Sequence, residues 1–594
     1  MSKIIGIDLG TTNCAVAWTD GNADELVLRD FPVPQLTYPG SVETRSTLPS
    51  FLYLPGAHEL PEHSIELPWD PQAQRVVGWL ARDQSAKIPH RIIGSAKSWL
   101  SNDQVDRHAA ILPWQAPEEI SKLSPVDVST AYLEHIRSAW DYENPDDPLS
   151  EQEIVLTVPA SFDAVARELT VEAAQAAGLK NLTLLEEPQA ALYSWIAGSG
   201  EQWRKQVSPG DRILVCDVGG GTTDFSLITV SQNQGDLVLE RVAVGDHILL
   251  GGDNMDLTLA VAVRQRLKKE RSLKLDNWQM QVLTHGCRVG KEQLLQEIAD
   301  DDWPITIPGR GSSLIAGAIN TELQRREVEQ LLIEGFFPMC SPEDDLPRHK
   351  RGGLTELGLP FESDPGITRH LARFLKAHAD DGAFFRPTAI LFNGGVFKSP
   401  LIRERVVTML NGWLHEAGAE PVRVLKGIDQ DLAVSRGAAR YGAARQGKGL
   451  RIRGGTSRSY YIGIENSAPA IPGLEPEIRA LCVAPFGMEE GTEAEVPQRQ
   501  FGLVVGEPVE FRFLGSTVRK KDAVGEYLED WEDEVEELTT IGVTLPAEDL
   551  TAGTIVPVTL KSCVTEVGTL ELWCQEIKGE GRWKLEFEVR ALDN

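Results

Sequence analysis

The sequence predicts a layered α/β protein of two duplicated lobes followed by a β-rich domain, and three observations carry that prediction. An apolar run ending in Asp-x-Gly and threonines occurs twice. Its copies are Ile4-Ile5-Gly6-Ile7-Asp8-Leu9-Gly10-Thr11-Thr12 and Ile213-Leu214-Val215-Cys216-Asp217-Val218-Gly219-Gly220-Gly221-Thr222-Thr223-Asp224. Between and after them, strand and helix patterns alternate as far as residue 445, the signature of helices covering sheets. Beyond Gly447 helical patterns give way to short alternating runs.

Each copy runs on into β-type residues (Cys14 to Trp18; Phe225 to Val230), so both read as hairpins whose turns carry the glycines and threonines. Ile154 to Val158 reads as a strand, followed by a helix from Ala164 to Ala177 that Asp163 would cap and Gly178 would end. Ala389 to Phe392 reads as a buried strand ending in Asn393-Gly394-Gly395, with a helix from Leu401. Two segments read as extra surface loops, Phe31 to Pro71 and Cys340 to Gly366. Gly442 to Lys448 has the spacing of a P-loop, but Gly449 takes the Ser/Thr position and a helix precedes it, so it reads as a helix end. Near the C-terminus Trp583, Leu585, Phe587 and Val589 alternate with charged residues. Val556-Val558-Leu560 and Leu570-Leu572-Cys574 repeat that pattern around turns at Gly553 and Gly568, which predicts a sandwich.

At 594 residues the chain exceeds one ordinary core, and we divide it into 1–445, a linker at 446–456 and a β-rich domain at 457–594. The formal charge of −30 argues against nucleic acid or an anionic membrane as partner. No stretch has the run of ~18 apolar residues that a membrane span needs, and MSKIIGIDLG lacks a secretory pattern, so the cytoplasm is expected. Seven scattered cysteines without a Cys-x-x-Cys pair predict idle thiols rather than disulfides or zinc. The acidic run Glu526 to Glu537, interleaved with Tyr527, Leu528, Trp531, Val535 and Leu538, reads either as a solvated face or as a docking segment.

A phosphate chain needs many donors at close range, and glycine lets backbone N–H groups point inward unobstructed. Gly10, Thr11, Thr12 and Asn13 form one such cradle, and Gly219, Gly220, Gly221, Thr222 and Thr223 the other. Asp8 and Asp217 end their strands beside these cradles, where carboxylates can hold the water shell of Mg²⁺. Two acids facing one metal account for the duplication.

Ile4 to Trp18, Leu156 to Leu192, Ile213 to Val230 and Ile390 to Val406 together resemble the nucleotide-binding domain of the 70-kilodalton heat-shock chaperones, over residues 1 to 445. The resemblance implies an actin-like two-lobed ATPase domain, a duplicated ribonuclease H-like fold, that binds ATP or ADP with Mg²⁺, K⁺ being a further candidate ion. It implies catalytic roles for Lys97, Thr222, Asp224 and Glu187, the last also in the Mg²⁺ shell with Asp8 and Asp217. Glu186 is the bland neighbour of Glu187, and an exposed helical lysine the bland reading of Lys97. Gly251, Gly252, Lys291, Gly394, Gly395, Lys398 and Asp431 match nucleoside contacts, with Lys398 replacing the arginine common in the family. Arg288 and Leu295 stand where the family has glutamate and serine. Pro159 and Arg167 match residues that relay nucleotide state between domains; a helix-surface ion pair is the alternative for Arg167.

The family joins its ATPase to a peptide-gripping β-sandwich and a helical lid. SRSYYIGIE is similar to the sandwich entry; the lid is expected to be absent, and the acidic leucine-rich linker is replaced by GKGLRIRG. The implied function is an ATP-dependent chaperone for unfolded or client polypeptide, with a co-chaperone or nucleotide-exchange factor as further partner. A small-molecule kinase on the same fold and a nucleotide-controlled filament protein are the competing classes.

Overall fold

A computed structural model describes residues 3–588 except 22–25, 57, 201–202, 234–235, 297–299, 310–316, 345, 347–357, 380–383, 447–455, 457, 466–476, 489–491, 498–499, 517, 520, 533, 548–550, 566–568 and 580. The linker residues 447–455, much of the 340–366 segment, and Asp533, Gly568 and Val589 therefore lie outside the described residues. The chain divides into two compact units, one of residues up to Arg451 save Glu240–Val242, the other containing Ile452–Asn594.

In the first unit each phosphate-loop hairpin is the centre of its own sheet. Lys3–Leu9 pairs antiparallel with Asn13–Asp20 and parallel with Glu153–Val158, which pairs parallel with Leu182–Glu186. Arg212–Val218 repeats this, antiparallel to Thr223–Asn233 and parallel to Ala389–Asn393, which pairs with Arg423–Val424. The two lobes thus correspond strand for strand. Both central strands carry an apolar run, Ile4 to Ile7 and Ile213 to Cys216, because helices cover their sheets. In the second lobe Leu214, Phe225, Leu259, Leu283, Leu371 and Trp413 belong to one buried cluster of sheet and helices. Burying each such side chain contributes roughly 1.5–3 kcal/mol.

The helix Ala164–Ala176 starts where expected: Asp163 Oδ1 accepts the Ala166 N–H at 2.7 Å, and Gly178 ends it at φ +88°. The closing helix Ala433–Arg445 returns to the first lobe and packs on the helix Glu187–Ser199 at near backbone contact. A Cβ on Gly437 would stand 1.7 Å from the Ala190 carbonyl oxygen.

Of Phe31 to Pro71, the part up to Tyr53 is not a surface loop, while the described residues of 54–71 form no strand or helix and, save Ser64, are half-buried or exposed. The stretch from Phe31 to Tyr53 supplies the strands Val33–Tyr38, Ser41–Arg45 and Phe51–Tyr53, and Val33, Leu36, Phe51 and Tyr53 are buried. Prolines at 34 and 49 and the brevity of the strands hid their alternation.

The second unit contains no helix among its described residues. One antiparallel sheet runs Tyr527–Leu528, Ile478–Ala484, Ser459–Glu465, Pro508–Ser516, Glu536–Thr544. The other runs Thr492–Glu495, Thr554–Val564, Thr569–Glu576, Arg582–Glu588, with Phe501–Val505 beside Thr554–Val564. Tyr460, Leu481 and Phe513 of the first share a buried cluster with Val558, Leu572 and Trp583 of the second. In the acidic run Trp531 and Val535 turn inward against Tyr461, Cys482 and Leu514, and the Trp531 indole donates to the Ile478 carbonyl at 2.8 Å. Those apolar residues are core, so they are not a docking face. All seven cysteines are unbridged, and no described helix is long and apolar enough to cross a membrane.

Candidate functional site

The equivalence of the lobes brings both hairpin turns to one cleft. Asp8, Gly10, Thr11, Thr12 and Asn13 line it from the first lobe, with Asp217, Gly219, Gly220 and Thr222 from the second. The turns approach so closely that a Cβ on Gly220 would lie 1.9 Å from Thr12 Oγ1. Each central acid is steadied by the neighbouring parallel strand at the same register. The Thr157 hydroxyl donates to Asp8 Oδ1 at 3.5 Å, and the Asn393 amide to Asp217 Oδ2 at 2.7 Å.

Lys97 lies on the short helix Ala96–Leu100 and is only 4% exposed, so it is not a surface lysine. Its ammonium pairs with the Glu187 carboxylate and lies over the Phe162 ring, 5.9 Å from the centroid. Burial opposes its charge, but Glu187 and Asp8 outweigh burial and raise its pKa. Glu187 owes its place to the first helical position after the strand Leu182–Glu186, with Pro188 fixing the turn. Asp224 lies opposite Asp217 in the hairpin register, and its Oδ1 accepts the Ser161 N–H at 3.2 Å.

Four carboxyl groups, Asp217 and Asp224 buried and Asp8 and Glu187 half-buried, therefore surround one lysine. Burial and then the Glu187 charge push Asp8 up to about 7, against the pull of Lys97. Asp217 is driven well above the carboxylate range by burial and then by Glu187. Burial likewise raises Glu187 and Asp224, despite Lys97 on the one and Ser161 on the other. Among the described residues no three His, Cys, Asp or Glu side chains form a ready metal cage.

At the other end of the cleft lie Gly252, Lys291, Gly394, Gly395, Lys398 and Asp431. Lys398 pairs with Asp431 at 2.5 Å, and Gly394 turns the chain at φ +85°. Lys291 donates to the Gly252 carbonyl at 2.9 Å and pairs with Asp256 at 2.7 Å. Arg288 also enters the cleft, held by Asp253 at 2.6 Å and Asp256 at 2.8 Å, with its guanidinium 5.5 Å from the Phe51 centroid. Asp256, Glu292 and Asn393 line the site without having been singled out beforehand. Asn393 was findable, being the strand-end partner of Asp217 as Thr157 is of Asp8.

Gly221, Thr223, Asp224, Gly251, Pro159, Arg167 and Leu295 do not line the open cleft. Thr223 is structural, its hydroxyl donating to the Leu250 carbonyl at 2.8 Å. Arg167 is 1% exposed, which removes the surface ion-pair alternative. It donates to the Phe162 carbonyl at 2.9 Å, the Ala160 carbonyl at 3.0 Å and the Glu186 carboxylate at 3.1 Å. Glu186 thus serves Arg167, and Glu187 serves Lys97.

Residues 67–342 match the family model described as Hsp70 protein. The chain is similar to "Chaperone protein DnaK" of Buchnera aphidicola subsp. Schizaphis graminum, with 25% identity over 466 residues, 75% of this chain and 60% of that protein. It is similar to "Chaperone protein HscA" of Photorhabdus laumondii, with 32% identity over 275 residues, 44% of this chain and 38% of that protein. The chain thus spans less than two thirds of the length of either relative. The match, the two relatives and the paired sheets with their facing phosphate-type turns agree: over its first unit this chain is similar to the Hsp70 family.

Proposed function

We propose that the protein binds and hydrolyses ATP in the cleft of its first unit and uses the nucleotide state to regulate the binding of unfolded or client polypeptide. The observation that carries this reading is the buried Lys97 among Asp8, Glu187, Asp217 and Asp224, between two glycine-rich turns. Four buried or half-buried acids to one base leave a deficit of positive charge that a divalent cation would correct. Carboxylates placed around a space rather than on one point suit Mg²⁺, which keeps several waters, with Asp8, Asp217 and Glu187 as the residues that would hold them. Bound there, Mg²⁺ supplies charge neutralisation of phosphate oxygens.

The residues of the chain do the rest. Backbone N–H groups of residues 10–13 and of Gly220 and Thr222 bind the phosphate chain, those of Gly219 and Thr223 being taken by the Thr222 and Ile248 carbonyls. Lys97 places a point charge at the terminal phosphoryl group, and Thr222 orients the water that attacks it, with Asp224 acting from behind the cleft wall through Thr222. Lys291, Lys398 and Asp431 hold the nucleoside end. Pro159 and Arg167 relay the state of the site, since Arg167 ties the Pro159 to Phe162 turn to Glu186, next to Glu187. Residues 446–456 act as linker and 457–594 as the client-binding, sandwich-type domain, a reading supported by the shared core of its two sheets and by the chaperone names of both relatives.

Lys97→Ala tests the central claim. Nucleotide affinity should stay within a few-fold, because the turns remain, while single-turnover hydrolysis falls by about 100-fold or more. Unchanged turnover would overturn the reading.

A further inference from the structure

The helix that carries Lys97 belongs to the first lobe but is held by the second. At its C-terminal end Ser101 Oγ accepts the His247 Nε2–H at 3.0 Å, its own hydrogen going to the Ser98 carbonyl at 3.1 Å. The Asn102 amide adds a bond to the Gly358 carbonyl at 3.0 Å. Lys97, however, is the second residue of five, so its place is set by the opposite end.

Ser95 is the one residue between the strand Ile92–Gly94 and the helix Ala96–Leu100, and three features set it apart. Its backbone is left-handed, φ +54° and ψ +31°, a conformation that suits glycine or asparagine. It holds the N-cap position, where a serine hydroxyl ordinarily accepts a backbone N–H of the first turn, yet it makes no such bond. The hydroxyl instead crosses to the second lobe and donates to Asp253 Oδ2 at 2.5 Å. A strained serine that forgoes its cap for one carboxylate points to a use for that bond.

Asp253 lines the cleft and is joined to the second phosphate turn. Its N–H donates to the Gly220 carbonyl at 2.7 Å, and the Gly252 N–H to the Gly219 carbonyl at 3.0 Å. Its Oδ1 takes Arg288 at 2.6 Å, which leaves Oδ2 for Ser95. A continuous chain of bonds thus runs from the glycines of the turn through Asp253 to Ser95, two residues before Lys97.

We propose that Ser95 is a positioning residue for Lys97: its hydroxyl on Asp253 ties the helix Ala96–Leu100 of the first lobe to the phosphate turn of the second, so that Lys97 is aimed into the cleft only while that turn is seated. This rests on the reading of the cleft as an ATPase site.

Ser95→Gly and Ser95→Ala both delete the hydroxyl but treat the backbone oppositely, since glycine accepts the left-handed turn and alanine resists it. Single-turnover hydrolysis, ATP affinity and thermal stability are measured for both in the full chain, for Asp253→Ala and for Ser95→Gly/Asp253→Ala, with Lys97→Ala as reference. Amide hydrogen exchange of residues 96–100 is followed with and without Mg²⁺ and a non-hydrolysable ATP analogue. Both Ser95 variants should slow hydrolysis about ten-fold, the scale of one hydrogen bond to a charged group, with ATP affinity within about two-fold of the intact protein. Ser95→Gly should nevertheless melt at the higher temperature of the two. The analogue should slow exchange in the helix of the intact protein about ten-fold or more, and in neither variant. In the Asp253→Ala background Ser95→Gly should cost nothing further, because both act in one chain. Unchanged rates in both Ser95 variants, slowing in Ser95→Ala alone, an additive loss in the double variant, or full protection of the helix in Ser95→Gly would each overturn the proposal while Lys97→Ala still abolishes turnover. If Asp253→Ala fails to bind nucleotide because Arg288 is left unpaired, the two Ser95 variants decide: equal slowing with unequal stability supports the proposal, and slowing that follows stability overturns it. Full turnover in Lys97→Ala would bring down the ATPase reading and this inference with it.

Discussion

Gly220 is the residue where a single methyl group should separate binding from folding. Its Cβ would stand 1.9 Å from Thr12 Oγ1, so Gly220→Ala must push the two turns apart. Nucleotide affinity should fall about ten-fold or more while the urea midpoint of the first unit moves little, because the displaced atoms face an open cleft. The opposite balance is expected at Arg167. Arg167→Leu removes a buried cation from the Glu186 carboxylate, itself 3% exposed, and should cost on the order of 3 kcal/mol in denaturant unfolding. Side-chain depth was what the residues alone could not convey. Lys97 and Arg167 both sit on helices in polar surroundings, and both proved buried, each beside one of two adjacent glutamates. Arg288 was visible only as a departure from the family; that it fills the cleft follows from Asp253 and Asp256 one turn apart on the facing helix.

Elements differed in legibility according to how much of their pattern was local. The two hairpins were plain because Asp, Gly and Thr mark the turn and uninterrupted apolar runs mark strands covered on both faces. The final strands were plain because Trp583, Leu585 and Phe587 alternate strictly, and all three are buried. Phe31 to Tyr53 was misread as loop because its strands are short and broken by proline. The acidic run lay between these cases, its charge obvious and its inward face not. Trp531→Ala should therefore destabilise the second unit by about 3 kcal/mol or more, whereas Glu532→Gln should change its unfolding by less than about 0.5 kcal/mol. A similar cost for both, in thermal unfolding of the two variants, would return the run to a solvated role. Gly437, where two helices touch through backbone alone, could not be told from any other helical glycine without the Ala190 carbonyl 1.7 Å away from its Cβ position.

For the molecule as a whole, acid should act through histidine. Burial lowers His135 to about 4, its Nε2–H donating to the Pro34 carbonyl at 2.9 Å, against an unfolded value near 6.5. The unfolded chain takes up the proton first as pH falls. Stability from this group is therefore complete above about 6.5 and lost progressively down to pH 4, on the order of 3 kcal/mol in all. Asp8 runs the other way: its folded pKa of about 7 means that its contribution is present at low pH and lost as pH rises through 7. Urea unfolding between pH 7 and pH 4 should show a flatter acid limb in His135→Gln, and an unaltered slope would exclude the histidine as its source. The strand-for-strand correspondence of the lobes has a further consequence. Their registers match, yet Asp217 faces Asp224 across its hairpin while Asp8 faces Ala15. Two identical halves would present the same groups at both ends of a phosphate chain and give a displacement no direction. Keeping the extra acid on one side only makes the centre polar, so that entering and departing oxygens are told apart by which half of the ancestral pair they meet.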